Sequence, residues 1–114
     1  MEHCLFCRIL DRHAPAKFVY EDDQVAAIED VNPQAPVHLL VIPRKHIASL
    51  KDASAEDEPV LGRLLTVAAQ LARERGLDSK GYRTVVNTGS TAGQSVFHLH
   101  VHLLGGRAFH WPPG

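Results

Sequence analysis

The feature that most constrains the fold is a strict alternation of imidazole and aliphatic side chains over residues 98–104, which read His-Leu-His-Val-His-Leu-Leu. Successive side chains of a β-strand point to opposite faces, so the alternation predicts a strand with three histidines on one face and aliphatic residues on the other. The aliphatic face belongs on a hydrophobic core. We therefore expect a strand over residues 96–104, ended by Gly105 and Gly106.

Three interpretations of this histidine row are open. A regular strand would place His98 and His102 about 13 Å apart, too far to share one metal ion at metal–nitrogen distances of about 2 Å. The histidines could instead be polar residues on a solvated sheet face. Alternatively, one imidazole acts as a nucleophile or acid–base catalyst while its neighbours fix its tautomer and bind an anion. The preceding loop, residues 87–95, favours catalysis, because small residues with free backbone N–H groups cradle phosphate oxygens; alone it would be an ordinary polar turn.

The rest of the chain predicts an α+β fold. One long helix is expected over residues 60–75, starting near Asp57 with Pro59 in its first turn and ending at Gly76. A short helix is expected over residues 4–12. The other predicted strands cover residues 18–21, 24–29, 38–42 and 82–87. About five strands, mainly antiparallel, with one long and one short helix make a two-layer domain.

The composition is that of one domain, residues 1–114, with 45% hydrophobic residues. Twelve Lys and Arg balance thirteen Asp and Glu, which excludes a generally basic nucleic-acid binder and a disordered acidic tail. The eight histidines are as many as the glycines, and histidine is rarely accumulated for packing alone.

No targeting or membrane-spanning segment is expected. The first residues lack the basic and apolar regions of a signal peptide, and no apolar run reaches the roughly 18 residues that span a bilayer. We expect a cytoplasmic protein without a membrane or nucleic-acid partner. In that compartment Cys4-x-x-Cys7 indicates a metal clip or a redox pair rather than a structural disulfide.

The pattern His98-x-His100-x-His102, followed by two apolar residues, resembles the histidine-triad (HIT) motif. Other segments that resemble HIT proteins of the Hint branch are residues 20–23, 30–38, 41–47, 93–95, 105–107 and 110–114. The resemblance spans essentially the whole chain. It implies a HIT-like fold whose sheet joins that of a second copy in a homodimer, with the tail 107–114 reaching toward the partner's site.

The resemblance also implies a purine nucleoside phosphoramidase, with AMP or GMP conjugates as substrates. His100 would be the nucleophile that forms a nucleotidyl-histidine intermediate, His102 and His38 its hydrogen-bonded partners, and Ser95 a contact of the phosphate or leaving group. Asp30 would hold the ribose hydroxyls. The further nucleotide-binding residues that it implies are Asn87, Gly93, Gln94, Leu5, Phe6, Ile9, Ile28, Val31 and Trp111. A HIT dinucleoside polyphosphate hydrolase, or a nucleotide-binding or scaffolding module with incidental hydrolysis, is the alternative.

Cys4 and Cys7 supply half of a tetrahedral zinc site. The resemblance to bacterial-type HIT proteins implies that His46 and His98 complete it. Two thiolates and two imidazoles form a closed set, so this zinc would be structural, and catalysis would need no cofactor. Reduced, metal-free cysteines are the alternative; a redox pair has less support without a thioredoxin-like context.

Overall fold

A computed structural model of the protein describes residues 3–114. Within that range the strands are β1 (Phe18–Glu21), β2 (Val25–Glu29), β3 (Val37–Pro43), β4 (Tyr82–Val85) and β5 (Val101–Gly105), and the α-helices are α1 (Leu5–Leu10) and α2 (Glu58–Glu74). The strands form one sheet in the order β1-β2-β3-β5-β4, and every neighbouring pair is antiparallel. The predicted α+β fold is confirmed.

The two helices cover opposite faces of the sheet. The buried residues of α2 are Leu64, Val67, Ala68, Leu71 and Ala72, and they pack on one face with Leu39, Val41, Val101 and Leu103. On the other face, Phe6 and Ile9 of α1 pack against Ala26, Ile28, Leu40 and Ile42. Alternate positions of β3 therefore serve two cores, which is why this strand is apolar almost throughout.

The long helix begins at Glu58, with Pro59 in its first turn as predicted, since proline has no N–H to leave unpaired there. A capping box precedes it, in which Asp57 accepts the backbone N–H of Ser54. The chain leaves the helix at Gly76, whose φ of 69° is readily adopted only by glycine. Among the described residues, none of the helices is long and apolar enough to cross a membrane.

Asp22, in the turn between β1 and β2, joins this hairpin to α2. One carboxylate oxygen accepts the backbone N–H groups of Gln24 and Val25 at 2.8 and 2.9 Å. The other accepts from Arg63 of α2 through two nitrogens, and from the hydroxyl of Tyr20. The carboxylate is thus a link between the sheet edge and the helix.

The last strand departs from the prediction. β5 starts at Val101, not at residue 96, so His98 and His100 lie in irregular chain before the strand and only His102 lies within it. The regular pairing stops because β3 ends at Pro43, which has no N–H to donate, while its carbonyl accepts the His98 ring instead. The predicted regular strand through His98 and His100 is therefore wrong, but the three imidazoles do share the α1 face of the sheet, since Phe6 meets the rings of His98 and His100, and the His100 ring lies 5.0 Å from that of His102. β4 and α1 are also shorter than predicted, ending at Val85 and Leu10.

Candidate active site and metal centre

A cavity of about 280 Å³ lies on the α1 face of the sheet, near the lower end of the range of about 300–1,000 Å³ for small-molecule pockets. The predicted site residues that line it are Leu5, Phe6, Ile9, Ile28, Asp30, Val31, Gly93, Ser95, His100 and His102. Its other lining residues, which the sequence analysis did not select, are Pro15, Ala16, Glu29, Leu40 and Val96. Leu40 lies two residues after His38 and so shares its face of β3, a signal that could have found it.

His100 presents a free ring nitrogen. Its Nδ1 lies 2.7 Å from the carbonyl oxygen of His98, and because a carbonyl can only accept, Nδ1 carries the proton and donates. The lone pair is therefore on Nε2. The ring is buried and meets Phe6 edge-on at a centroid distance of 5.1 Å. Burial lowers the pKa of His100 below its ordinary value, which keeps the imidazole neutral and nucleophilic at neutral pH.

A second chain of hydrogen bonds fixes the proton of His102. The backbone N–H of Gln34 donates to His38 Nδ1 at 3.0 Å, so the His38 proton is on Nε2. That nitrogen lies 2.9 Å from His102 Nδ1, which must then accept and leave the His102 proton on Nε2. Burial, followed by the neighbouring His100, lowers the pKa of His102 to about 4. The Gln34 N–H was not predicted, since a backbone group leaves no trace in residue type.

The two rings are consequently complementary. His100 and His102 have centroids 5.0 Å apart, one offering a lone pair and the other an N–H donor. Such a pair can attack an electrophilic centre while hydrogen-bonding to the negative charge that develops on it.

Asp30 stands beside this chain. Its Oδ1 accepts the N–H of Asn32 at 2.8 Å, and its Oδ2 lies 3.3 Å from His38 Nε2. Asp30, His38 and His102 have ligand atoms close enough for a metal site. However, His38 Nε2 carries a proton and donates it to His102 Nδ1 at 2.9 Å, so these two nitrogens form a hydrogen bond with each other. The cluster is therefore a hydrogen-bonded chain with a carboxylate facing the cavity.

Four predicted site residues do not line the cavity. His38 lies behind His102, and Asn87 lies behind Gly93, with its side-chain nitrogen 3.9 Å from where a Cβ would sit. Gln94 is buried within the loop: its Oε1 accepts from Gly89 N–H, and its Nε2 donates to the carbonyls of Ala48 and Val96. Its side chain therefore shapes the loop. Trp111 is 83% exposed on its own chain.

A second cluster brings together Cys4, Cys7, His46 and His98, the predicted metal ligands. The two Nδ1 atoms of the histidines are 3.2 Å apart, and the sulfur–nitrogen contacts are 3.3 to 3.5 Å. A tetrahedral zinc ion with ordinary Zn–N and Zn–S bonds sets nitrogen–nitrogen and sulfur–nitrogen separations of roughly 3.3–3.6 Å. The four side chains therefore fit zinc in number, chemistry and spacing.

The surroundings of this cluster suit a metal. The Nε2 of His98 donates to the Pro43 carbonyl at 2.8 Å, which leaves Nδ1 unprotonated and aimed at the sulfurs. Burial lowers the pKa of His98 to about 4. Burial, followed by the hydrogen bond with Cys4, raises the pKa of Cys7 to about 11, so a metal's charge would be needed to hold that thiol as thiolate at neutral pH.

The fold and the site together define a domain of the HIT class. A family model described as the HIT domain matches residues 11–109, and the chain belongs to this family. It is 54% identical over 113 residues to an uncharacterised HIT-like protein of Synechococcus elongatus, an alignment that covers 99% of this chain and 98% of the relative.

Solved structures show the same fold. A HIT family hydrolase from Legionella pneumophila Philadelphia 1 superposes with a TM-score of 0.95 at 50% identity, covering 97% of this chain and 99% of that one. A Zn-bound histidine triad family protein from Mycobacterium smegmatis gives 0.81 at 34% identity, covering 93% and 76%. A histidine triad nucleotide-binding protein from Candida albicans gives 0.82 at 30% identity, covering 96% and 82%.

Proposed function

We propose that the protein is a nucleotide hydrolase that cleaves purine nucleoside 5′-phosphoramidates and related AMP conjugates to the nucleoside monophosphate. The observation that carries this proposal is the pairing of an unprotonated His100 Nε2 with a protonated His102 Nε2 at the wall of an apolar cavity. The relatives support it, since a similar structure is that of a HIT family hydrolase and another is that of a nucleotide-binding protein.

In the proposed reaction, His100 Nε2 attacks the α-phosphorus and the phosphorus–nitrogen bond breaks. The departing nitrogen takes up a proton from solvent water and leaves as the amine, and the nucleotide stays on His100. A water molecule then attacks the phosphorus and releases one proton to solvent, the bond to His100 breaks, and the nucleoside monophosphate leaves with the neutral imidazole restored. Throughout, the Nδ1–H of His100 keeps its bond to the His98 carbonyl, which orients the ring and offsets its developing positive charge.

The cavity suits the remainder of the substrate. Its apolar wall, built from Leu5, Phe6, Ile9 and Ile28, would take the base, and Val31 stands at the rim with 95% of its surface exposed. The Asp30 carboxylate would accept the ribose hydroxyls. Gly93 and Ser95 would face the phosphate, with Asn87 behind them.

We further propose that Cys4, Cys7, His46 and His98 hold a structural zinc ion. When bound, zinc would cross-link α1 to the segment that precedes β5. The spacing of the four ligand atoms supports this, as does the zinc in the structure of the Mycobacterium smegmatis relative. Because the four ligands leave no open position, the hydrolysis itself would not use the metal.

A homodimer is also proposed, in which the tail 107–114 carries Trp111 toward the partner's cavity. The large exposed surface of this indole supports the proposal, since tryptophan is enriched at protein–protein interfaces, where its apolar ring is buried. Light scattering should give twice the mass of one chain, and a monomeric mass would contradict the dimer.

The activity is tested by incubating the purified protein with adenosine 5′-phosphoramidate and, separately, with a diadenosine polyphosphate, and measuring AMP release by chromatography. We expect faster turnover of the phosphoramidate. A preference for the polyphosphate would favour the alternative hydrolase, and nucleotide binding without turnover of either compound would favour a binding module.

A further inference from the structure

A second cavity of about 540 Å³ adjoins the first. Leu5, Ser95 and Val96 line both, so these three side chains form a shared rim between them. The rim includes Ser95, the hydroxyl that the proposed reaction places near the phosphate. The remaining described residues around the second cavity are His3, Cys4, His46 and Phe97.

The second cavity offers little to a charged group. No Lys, Arg, Asp or Glu occurs among the described residues that line it. Cys4 and His46 would direct their sulfur and Nδ1 atoms to the zinc ion, which leaves mainly their carbon atoms for the cavity. Phe97, 51% exposed, and Leu5, 46% exposed, supply apolar surface that nothing covers within residues 3–114. A carboxylate or phosphate bound there would lose water without meeting the side chain of a Lys or Arg, and among the described lining residues outside the cysteine–histidine cluster only the exposed His3 could supply a side-chain N–H.

The reaction needs a place of this kind. A displacement at phosphorus proceeds with the attacking and leaving atoms roughly in line, so the leaving group departs on the side away from His100. The first cavity is small and would be filled by the nucleoside. A substituent on the departing nitrogen must therefore extend past the phosphate, and Ser95 is the polar side chain among the three described residues that line both cavities.

We propose that the second cavity binds the leaving group and selects uncharged, apolar amines, with Phe97 as a specificity-determining residue. The proposal rests on the proposed phosphoramidase function and adds the chemical class of its leaving group. On this proposal a nucleoside polyphosphate would be a poor leaving group, because its phosphates would meet no Lys or Arg side chain among the described lining residues.

The test compares three adenosine 5′-phosphoramidates: the unsubstituted compound, the benzylamine derivative, and the 4-carboxybenzylamine derivative, which differs from the second by one carboxylate. The wild type should prefer benzylamine over 4-carboxybenzylamine by roughly tenfold in kcat/KM, the lower end of what a hydrophobic pocket discriminates. Phe97→Ala should lower the ratio of kcat/KM for the benzylamine derivative to that for the unsubstituted compound, also by about tenfold.

A charge introduced at the same position gives a gain-of-function readout that misfolding could not produce. Phe97→Lys should shift the preference toward the carboxylate-bearing substrate. The matched control is Leu50→Ala, since Leu50 is 45% exposed and lines neither cavity, and both ratios of kcat/KM should stay at the wild-type values.

The outcomes separate the two proposals. If the wild type hydrolyses none of the three compounds, the phosphoramidase function fails and the leaving-group site fails with it. If it hydrolyses them but neither Phe97 variant changes the ratios, the function stands and the second cavity is not the leaving-group site.

Discussion

The Nδ1–H of His100 donates a hydrogen bond of 2.7 Å to the carbonyl oxygen of His98. The backbone of His98, a candidate metal ligand, therefore fixes the tautomer of His100, the candidate nucleophile. The His98 ring is itself held by the Pro43 carbonyl and by the cysteine cluster. The candidate metal centre and the candidate active site are thus joined through one residue.

Replacement of His100 by alanine should abolish turnover of adenosine 5′-phosphoramidate, with a loss of at least about 10⁴-fold in kcat, because no other described residue that lines the cavity offers an unprotonated ring nitrogen. AMP binding measured by calorimetry should persist, since the apolar wall and Asp30 remain. His13→Ala, at an exposed position, is the matched control and should retain full activity. Wild-type rates in His100→Ala would refute the covalent mechanism.

His38 and His102 should act as a unit. His38→Asn and His102→Asn each break the chain of hydrogen bonds that leaves a proton on His102 Nε2. Each should therefore lower kcat by about 10²-fold. The double variant should be no more than about threefold slower than the slower single variant, because the second change removes nothing further. Steady-state rates of the three variants measure this coupling. Fully multiplicative losses would show that the two histidines contribute independently.

The sequence predicted the elements of the fold because each carries a strong local signal. The alternation around Val101 and Leu103 has the two-residue period of a strand, and the apolar seam of α2 has the 3.6-residue period of a helix. The irregular chain at His98 and His100 was not predictable in this way. It depends on where Pro43 ends the neighbouring strand and on contacts with cysteines about 90 residues away in the sequence.

For the candidate site, the sequence predicted which residues take part more fully than how they are arranged. The residues that came from the resemblance mostly line one cavity, but the resemblance gave no means of separating Gln94, whose amide binds within its own loop, from Ser95, which faces the cavity. The proton positions on His100 and His102 depend on the His98 carbonyl and the Gln34 N–H. Backbone groups of this kind become visible only in three dimensions.

The protein should purify with about one zinc ion per chain. Cys4→Ser/Cys7→Ser should lose the metal, because serine hydroxyls are poor zinc ligands, and should lower Tm by about 4–8 °C, the shift expected for about 1–2 kcal/mol in a domain of this size. Plasma emission spectrometry and a thermal melt measure the two effects, and a chelator added to the wild type should reproduce the second. If the wild type contains no zinc and the double variant has the same Tm as the wild type, these four side chains do not hold a structural zinc ion.

Acid should weaken the link that Asp22 makes between the β1–β2 turn and α2. Burial raises the pKa of this carboxyl, but the N–H groups of Val25 and Gln24, followed by Arg63 and Tyr20, lower it more, and the net pKa lies well below its usual range. A depressed pKa stabilises the fold fully above the unfolded value of about 3.9, and this stability is lost as pH falls below that value toward the folded pKa. Asp22→Asn should therefore lower the free energy of unfolding by about 1–3 kcal/mol at neutral pH and by progressively less below about pH 4.

Urea unfolding of the wild type and of Asp22→Asn across this pH range measures the difference in their free energies of unfolding. Asp23→Asn, at an exposed neighbouring position, is the control. If the difference in free energy of unfolding between the wild type and Asp22→Asn stays constant with pH, the charge of Asp22 does not contribute to the link.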